Sequence, residues 1–121
     1  MGMTPEGKVK AELRKVLSAK NWTYNTTTSR GLGASGQADY TVNAGGRYVP
    51  IETKVDKPAP TKLQDRSLRR HAQAGALGLV LARTGLRVYP PDSQEPFDVP
   101  AEDLKSALRL MTRIIERHIT R

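Results

Sequence analysis

Residues 48 to 82, YVPIETKVDKPAPTKLQDRSLRRHAQAGALGLVLA, decide the architecture of this chain. The first part, Tyr48 to Val55, alternates: Val49, Ile51, Thr53 and Val55 share one face and Glu52 and Lys54 the other, as in a strand with one buried side. The last part, Ala76 to Ala82, is a continuous apolar run of strand length, the pattern of a strand covered on both faces. Between them, Asp56 to Pro60 is a proline-bearing loop, and Thr61 to Ala74 is a basic helix closed by Gly75 in the usual C-terminal role. A strand, a crossover helix and a second strand predict a parallel pair in one sheet with the helix on one of its faces.

Upstream, Asn43-Ala44-Gly45-Gly46 is turn chemistry. Before it, Gln37 to Val42 alternates with Ala38, Tyr40 and Val42 on one face and Gln37, Asp39 and Thr41 on the other, so a hairpin with the Tyr48 strand is expected. Trp22 to Thr28, rich in aromatic and β-branched residues, reads as a first strand, followed by a loop from Ser29 to Ser35. Thr4-Pro5 opens a helix in which Val9, Leu13, Val16 and Leu17 recur at helical spacing to about Ala19. Downstream, Arg83-Thr84-Gly85 leads into a short strand, Leu86 to Tyr89. Pro90 to Pro100, with four prolines and three acids, reads as a surface connection. A last helix, about Ala101 to Ile119, carries a broad apolar face of Leu104, Leu108, Leu110, Met111, Ile114, Ile115 and Ile119. The order helix, three strands, helix, two strands, helix predicts an α/β domain.

Its 121 residues suit one domain spanning 1 to 121, with a core of about 5 to 90. Twenty Lys and Arg against twelve Asp and Glu leave a net charge of +8, the electrostatic footprint of a polyanion binder, so nucleic acid is the first partner to consider. The absence of cysteine excludes disulfides, thiolate zinc sites, Fe–S clusters and a cysteine nucleophile. No apolar run approaches the roughly 20 residues of a membrane span. The start MGMTPEGKVK lacks a secretory core and the serine or threonine that myristoylation requires. A cytoplasmic protein without a membrane anchor is expected. Residues 1 to 87 hold fifteen basic side chains and six acids, a net +9, whereas residues 88 to 121 hold five and six, a net −1, so the binding face belongs to the first part.

Carboxylates repel phosphate unless a cation lies between them, so each acid of the basic part needs a physical reason. With Val9 at zero and about 100° per residue, Leu13 lies near 40°, Val16 near −20° and Leu17 near 80°. Glu6, near 60°, falls on this apolar stripe and Glu12, near −60°, at its edge. Glu6 is therefore the helix acid aimed at the sheet, and a carboxylate there also complements the helix dipole. Glu52 and Lys54 project together about 6.5 Å apart along their strand. Hairpin pairing brings the face of Asp39 beside them. Two carboxylates and an ammonium fit a divalent metal and phosphodiester hydrolysis, which needs hard oxygen ligands and a cation near the attacking water. The same residues would also suit an exposed hairpin with a cross-strand ion pair.

The runs Gly36-Gln37-Ala38-Asp39, Gly46-Arg47-Tyr48-Val49-Pro50-Ile51-Glu52-Thr53-Lys54, Thr61-Lys62-Leu63-Gln64 and Ala74-Gly75-Ala76 resemble the virus-type replication and repair nuclease module, VRR-NUC, a branch of the PD-(D/E)XK nuclease superfamily. The resemblance covers roughly residues 5 to 83 and departs from the superfamily name at Ala38, where that name has Pro. It implies a restriction-endonuclease-like α-β-β-β-α-β core with a mixed central sheet, here with an extra C-terminal helix. It implies Mg²⁺, with Mn²⁺ as a substitute, on Asp39, Glu52 and the Thr53 backbone carbonyl, with Glu6 as the helix acid. Lys54 would orient the attacking water, and Gln64 matches the glutamine that the family carries on its helix.

Gln64 also completes a capping box with Thr61, and the two roles are compatible. Gly31, Gly33 and Gly36 match a dinucleotide fingerprint by letters alone, because they lead into a strand rather than a helix. That loop would let a DNA backbone approach, with Arg30 on a phosphate. Lys57, Lys62, Arg66, Arg69 and Arg70 flank the acids and are expected to follow a phosphate backbone. His71 and His118 receive no role. The apolar arc of the last helix, near 180°, exceeds the roughly 100° that covers one core and predicts a homodimer. Paired nicking by a twofold dimer suits four-way junctions. The expected activity is thus a structure-selective endonuclease on branched DNA, Holliday junctions first. The alternatives are a less selective nicking or restriction-like nuclease, a non-catalytic DNA-binding module, and an accessory subunit of a repair complex.

Overall fold

The computed structural model describes residues 2–27, 38–92 and 95–119. Arg30 and the glycine-bearing loop lie outside them. Helix α1, Pro5–Ala19, begins where Thr4 accepts the Gly7 N–H on its hydroxyl at 3.0 Å, with proline at the first helical position. It buries Val9, Leu13 and Leu17, the stripe that the periodicity predicts. Strand β1, Thr23–Thr26, pairs antiparallel with β2, Tyr40–Ala44, which forms the expected hairpin with β3, Arg47–Thr53. The turn between them needs positive φ at two successive residues. Gly45 at +59° and Gly46 at +93° supply it, and Asn43 Oδ1 accepts the Gly46 N–H at 2.9 Å.

Strand β3 pairs parallel with β4, Gly78–Ala82, across helix α2, Lys62–Gln73, which confirms the crossover. β5, Gly85–Tyr89, returns antiparallel to β4. One element departs from expectation: the proline-bearing connection ends in a sixth strand, β6, Phe97–Pro100, antiparallel to β5. Proline is tolerated there because β6 is an edge strand and mostly exposed, so its pattern carries no buried face to read. Helix α3, Leu104–Ile119, starts three residues later than the apolar pattern suggests, after Pro100 and where Asp103 accepts the Ser106 N–H at 2.8 Å.

The strands follow chain order, β1-β2-β3-β4-β5-β6, in one mixed sheet. α1 and α3 cover one face, where Val9, Leu13, Leu17, Tyr40, Val42, Ile51, Leu79, Leu81, Met111 and Ile115 form the main core. α2 covers the other over a smaller cluster of Leu68, Ala72, Val80 and Tyr89. The wide apolar arc of α3 is largely used within the chain: Ala107, Leu108, Met111 and Ile115 are buried, and Leu104, Leu110, Ile114 and Ile119 pack partly buried against the same core. Among the described residues no helix is long and apolar enough to cross a membrane.

Candidate active site

The side chains of β3 alternate between the two cores, and that alternation sets the site. Tyr40 pairs with Ile51, and both enter the core beneath α1 and α3. Asp39 and Glu52, each one residue along, therefore turn to the α2 face side by side at the end of the hairpin. Thr53 donates to Asp39 Oδ2 from its backbone N–H at 2.9 Å and from its hydroxyl at 2.8 Å. Both bonds fall on one carboxylate oxygen.

Glu52 is 1% exposed, and with Thr53 it is one of the two buried polar or charged residues among those described. Gln64 Nε2 donates to Glu52 Oε1 at 3.2 Å. The other end of the same amide accepts the Thr61 N–H at 2.9 Å, while the Thr61 hydroxyl accepts the Gln64 N–H at 3.1 Å. The capping box and the contact to the acid thus coexist in one side chain. Burial raises the Glu52 pKa from 4.5 to about 7, and the charge of Asp39 adds to it, against the opposing effects of the Asp39 amide, Lys54 and Lys10. The carboxyl is therefore only partly ionised near neutral pH, and a cation beside it would favour the charged form.

Lys54 is half-buried one step past β3, on the parity of Glu52, with its N–H extending the ladder to Leu81 O at 2.8 Å. The charge of Lys10 reaches Glu52 from α1. Sequence reasoning did not single out Lys10; its signal was the spacing of four to Glu6, with which it pairs at 3.2 Å. Glu6 itself is corrected: its side chain is 59% exposed on Lys10 rather than buried toward the sheet. The first buried residue of α1 is Val9, so the apolar stripe meets the sheet only after the first turn. Glu12 pairs with Lys15 at 3.1 Å.

Of the basic residues expected on DNA, Lys57, Lys62, Arg66 and Arg70 are exposed. Arg69 is committed elsewhere, to Asp65 one turn back on α2 at 2.9 Å and to Glu95, in the segment before β6, at 3.3 Å. His71 lies against Tyr48 with ring centroids 5.5 Å apart, and His118 Nδ1 lies 2.8 Å from Ile114 O.

Among the described residues no group of three or more His, Asp or Glu side chains gathers to hold a metal. The donor set at the site is two carboxylates and the adjoining main chain of Thr53. That set fits Mg²⁺, which is commonly bound through one or two carboxylates with water and substrate phosphate completing its shell.

No protein-family model matches the sequence, and no curated protein matches it. Among solved structures, the chain is similar to Hjc, a Holliday junction resolvase from the archaeal hyperthermophile Archaeoglobus fulgidus, with a TM-score of 0.52 and 16% identity, over 84% of this chain and 90% of that one. The likeness covers nearly the whole of both chains, and with the mixed six-stranded sheet and its flanking helices it gives the fold: α/β, of the restriction-endonuclease type.

Proposed function

We propose that residues 1 to 121 form a single nuclease domain that hydrolyses phosphodiester bonds in branched DNA, with divalent metal as cofactor. The observation that carries this reading is the Asp39–Glu52 pair, a buried carboxyl beside a half-buried one inside a chain of net charge +8. Without a cation, desolvation and mutual repulsion both oppose that pairing in its charged form, and a lapsed site has no chemical need to keep it.

Asp39, Glu52 and the Thr53 carbonyl would hold Mg²⁺ or Mn²⁺, with Glu6 able to join only if it leaves Lys10. Bound there, the metal supplies neutralisation of phosphoryl charge and an acidified water. Thr53 orients the Asp39 carboxylate, and Gln64 orients that of Glu52. Lys54, whose charge reaches Glu52, would supply the ammonium for the attacking water and the developing charge. Lys57, Lys62, Arg66 and Arg70, with Arg30, would follow the phosphate backbone, and the acid-bound Arg69 is the weakest member of that group. The VRR-NUC resemblance supports the same roles for Asp39, Glu52, Lys54 and Gln64. A twofold homodimer would supply the paired nicks that junction resolution requires. The fold shared with a Holliday junction resolvase supports that substrate over linear DNA.

The test compares cleavage of a four-way junction with that of linear duplex of the same arm sequence, with Mg²⁺, with Mn²⁺ and with chelator. Symmetrically paired junction cuts that stop in chelator are expected, and Asp39→Asn, Glu52→Gln or Lys54→Ala should abolish them while DNA binding survives. Equal rates on both substrates would reduce the reading to a less selective nicking nuclease. Wild-type cleavage by Glu52→Gln would overturn the site.

A further inference from the structure

On the side that α2 faces, β3 presents Tyr48, Pro50 and Glu52 in succession. β2 sets Asn43 opposite Tyr48 and Thr41 opposite Pro50, and β1 extends the rows with Thr23 and Asn25. α2 packs on β4 and β5, and among the described residues Thr23, Asn25, Asn43 and Tyr48 remain exposed. The flank of α2 nearest β3 carries Gln64, Ser67 and His71 at helical spacing. Gln64 meets Glu52 at the buried end of this face, where Pro50 is buried as well, and His71 meets Tyr48 at its exposed end. The two ends are four residues apart on β3, about 13 Å. Tyr48 is 43% exposed and borders two cavities, of about 300 Å³ over Thr23, Asn25, Thr41 and Asn43 and of about 410 Å³ beside His71 and Arg47.

Apart from Asp39 and Glu52, none of these residues is acidic. A neutral polar floor in a strongly basic chain accepts a polyanion, and an exposed aromatic ring on such a floor offers a face to a nucleobase. Bases within a linear duplex are already stacked on their neighbours and cannot use it; bases unpaired at a branch can.

We propose that Tyr48, backed by His71, stacks an unpaired base of the bound DNA, about four nucleotide steps at duplex rise from the phosphate at Glu52. This deepens the nuclease reading and rests on it, since it gives the site a reason to prefer branched over linear DNA.

The experiment places 2-aminopurine at successive positions in the single-stranded arms of a splayed duplex and follows its fluorescence and binding in EDTA, where no cutting occurs. Wild-type protein should change the probe's emission at a restricted set of positions. Tyr48→Ala should remove that change and weaken splayed-duplex binding roughly tenfold or more, with linear-duplex binding nearly unaltered. Tyr48→Phe, which keeps the ring, should behave as wild type. Unaltered splayed-duplex binding by Tyr48→Ala, or equal losses on both DNAs, would overturn the proposal; unaltered binding would leave the ring to a protein partner. Wild-type protein that shows the stacking signal but cuts no DNA with Mg²⁺ would remove the nuclease reading and keep the stacking site.

Discussion

Thr53 donates twice to a single oxygen of Asp39, through its main chain at 2.9 Å and its hydroxyl at 2.8 Å. Thr53→Val removes only the hydroxyl and keeps the shape and the strand preference of the residue. Such orienting hydrogen bonds are worth about tenfold or more in metal affinity. The Mg²⁺ concentration for half-maximal cleavage should rise by about that factor, with DNA binding unchanged. An unaltered Mg²⁺ titration would show that Thr53 does not orient a metal ligand.

The buried carboxyl of Glu52 makes metal-free stability depend on pH. Its pKa is raised from 4.5 to about 7, so the folded state binds this proton more tightly than the unfolded state does. The contribution is fully present below about pH 4.5 and is lost as pH rises through about 7, for a total of about 3 kcal/mol. Denaturant unfolding in EDTA should therefore show this group's share of the stability falling between about pH 4.5 and about pH 7. Glu52→Gln should remove the fall, and Mg²⁺ should stabilise wild type more at the higher pH. A Glu52→Gln profile that parallels wild type would contradict the assignment.

Gln64 serves a helix cap and an acid at once, and the two can be separated. Thr61→Ala breaks the cap but leaves the Gln64 amide free to meet Glu52; Gln64→Ala removes both. Each should cost about 1 kcal/mol by denaturant unfolding. Only Gln64→Ala should lower the cleavage rate substantially. Equal rate losses in the two variants would mean that the helix start, and not the amide, governs activity.

Tyr89 ties β5 to α2 through a 2.6 Å hydrogen bond from its hydroxyl to Asp65 Oδ1. Burial, with Asp65 beside it, pushes the phenol pKa up, so the hydroxyl remains a donor throughout the ordinary pH range. Tyr89→Phe should lower stability by about 1 kcal/mol and leave DNA affinity unchanged, because Asp65 keeps its Arg69 partner. A loss of DNA affinity with intact stability would instead place Tyr89 at the nucleic-acid surface.

The crossover from β3 through α2 to β4, the hairpin turn at Gly45 and Gly46, and the shared face of Asp39 and Glu52 were all legible in the sequence. Each follows from a local rule: strand period two, helix period 3.6, and the backbone freedom of glycine. β6 was not legible, since an exposed edge strand has no buried face to impose a pattern. Glu6 sits at the angle that the helical wheel gave it, but only the packing of α1 shows that its first turn precedes contact with the sheet. The charge of Lys10 reaching Glu52, Arg69 on Asp65 and Glu95, and the exposed polar patch around Tyr48 all depend on where separate elements meet. Periodicity determines which way a side chain leaves its own strand or helix; the tertiary structure decides what it finds there, and hence which charges near the acids are matched and which are available to a phosphate.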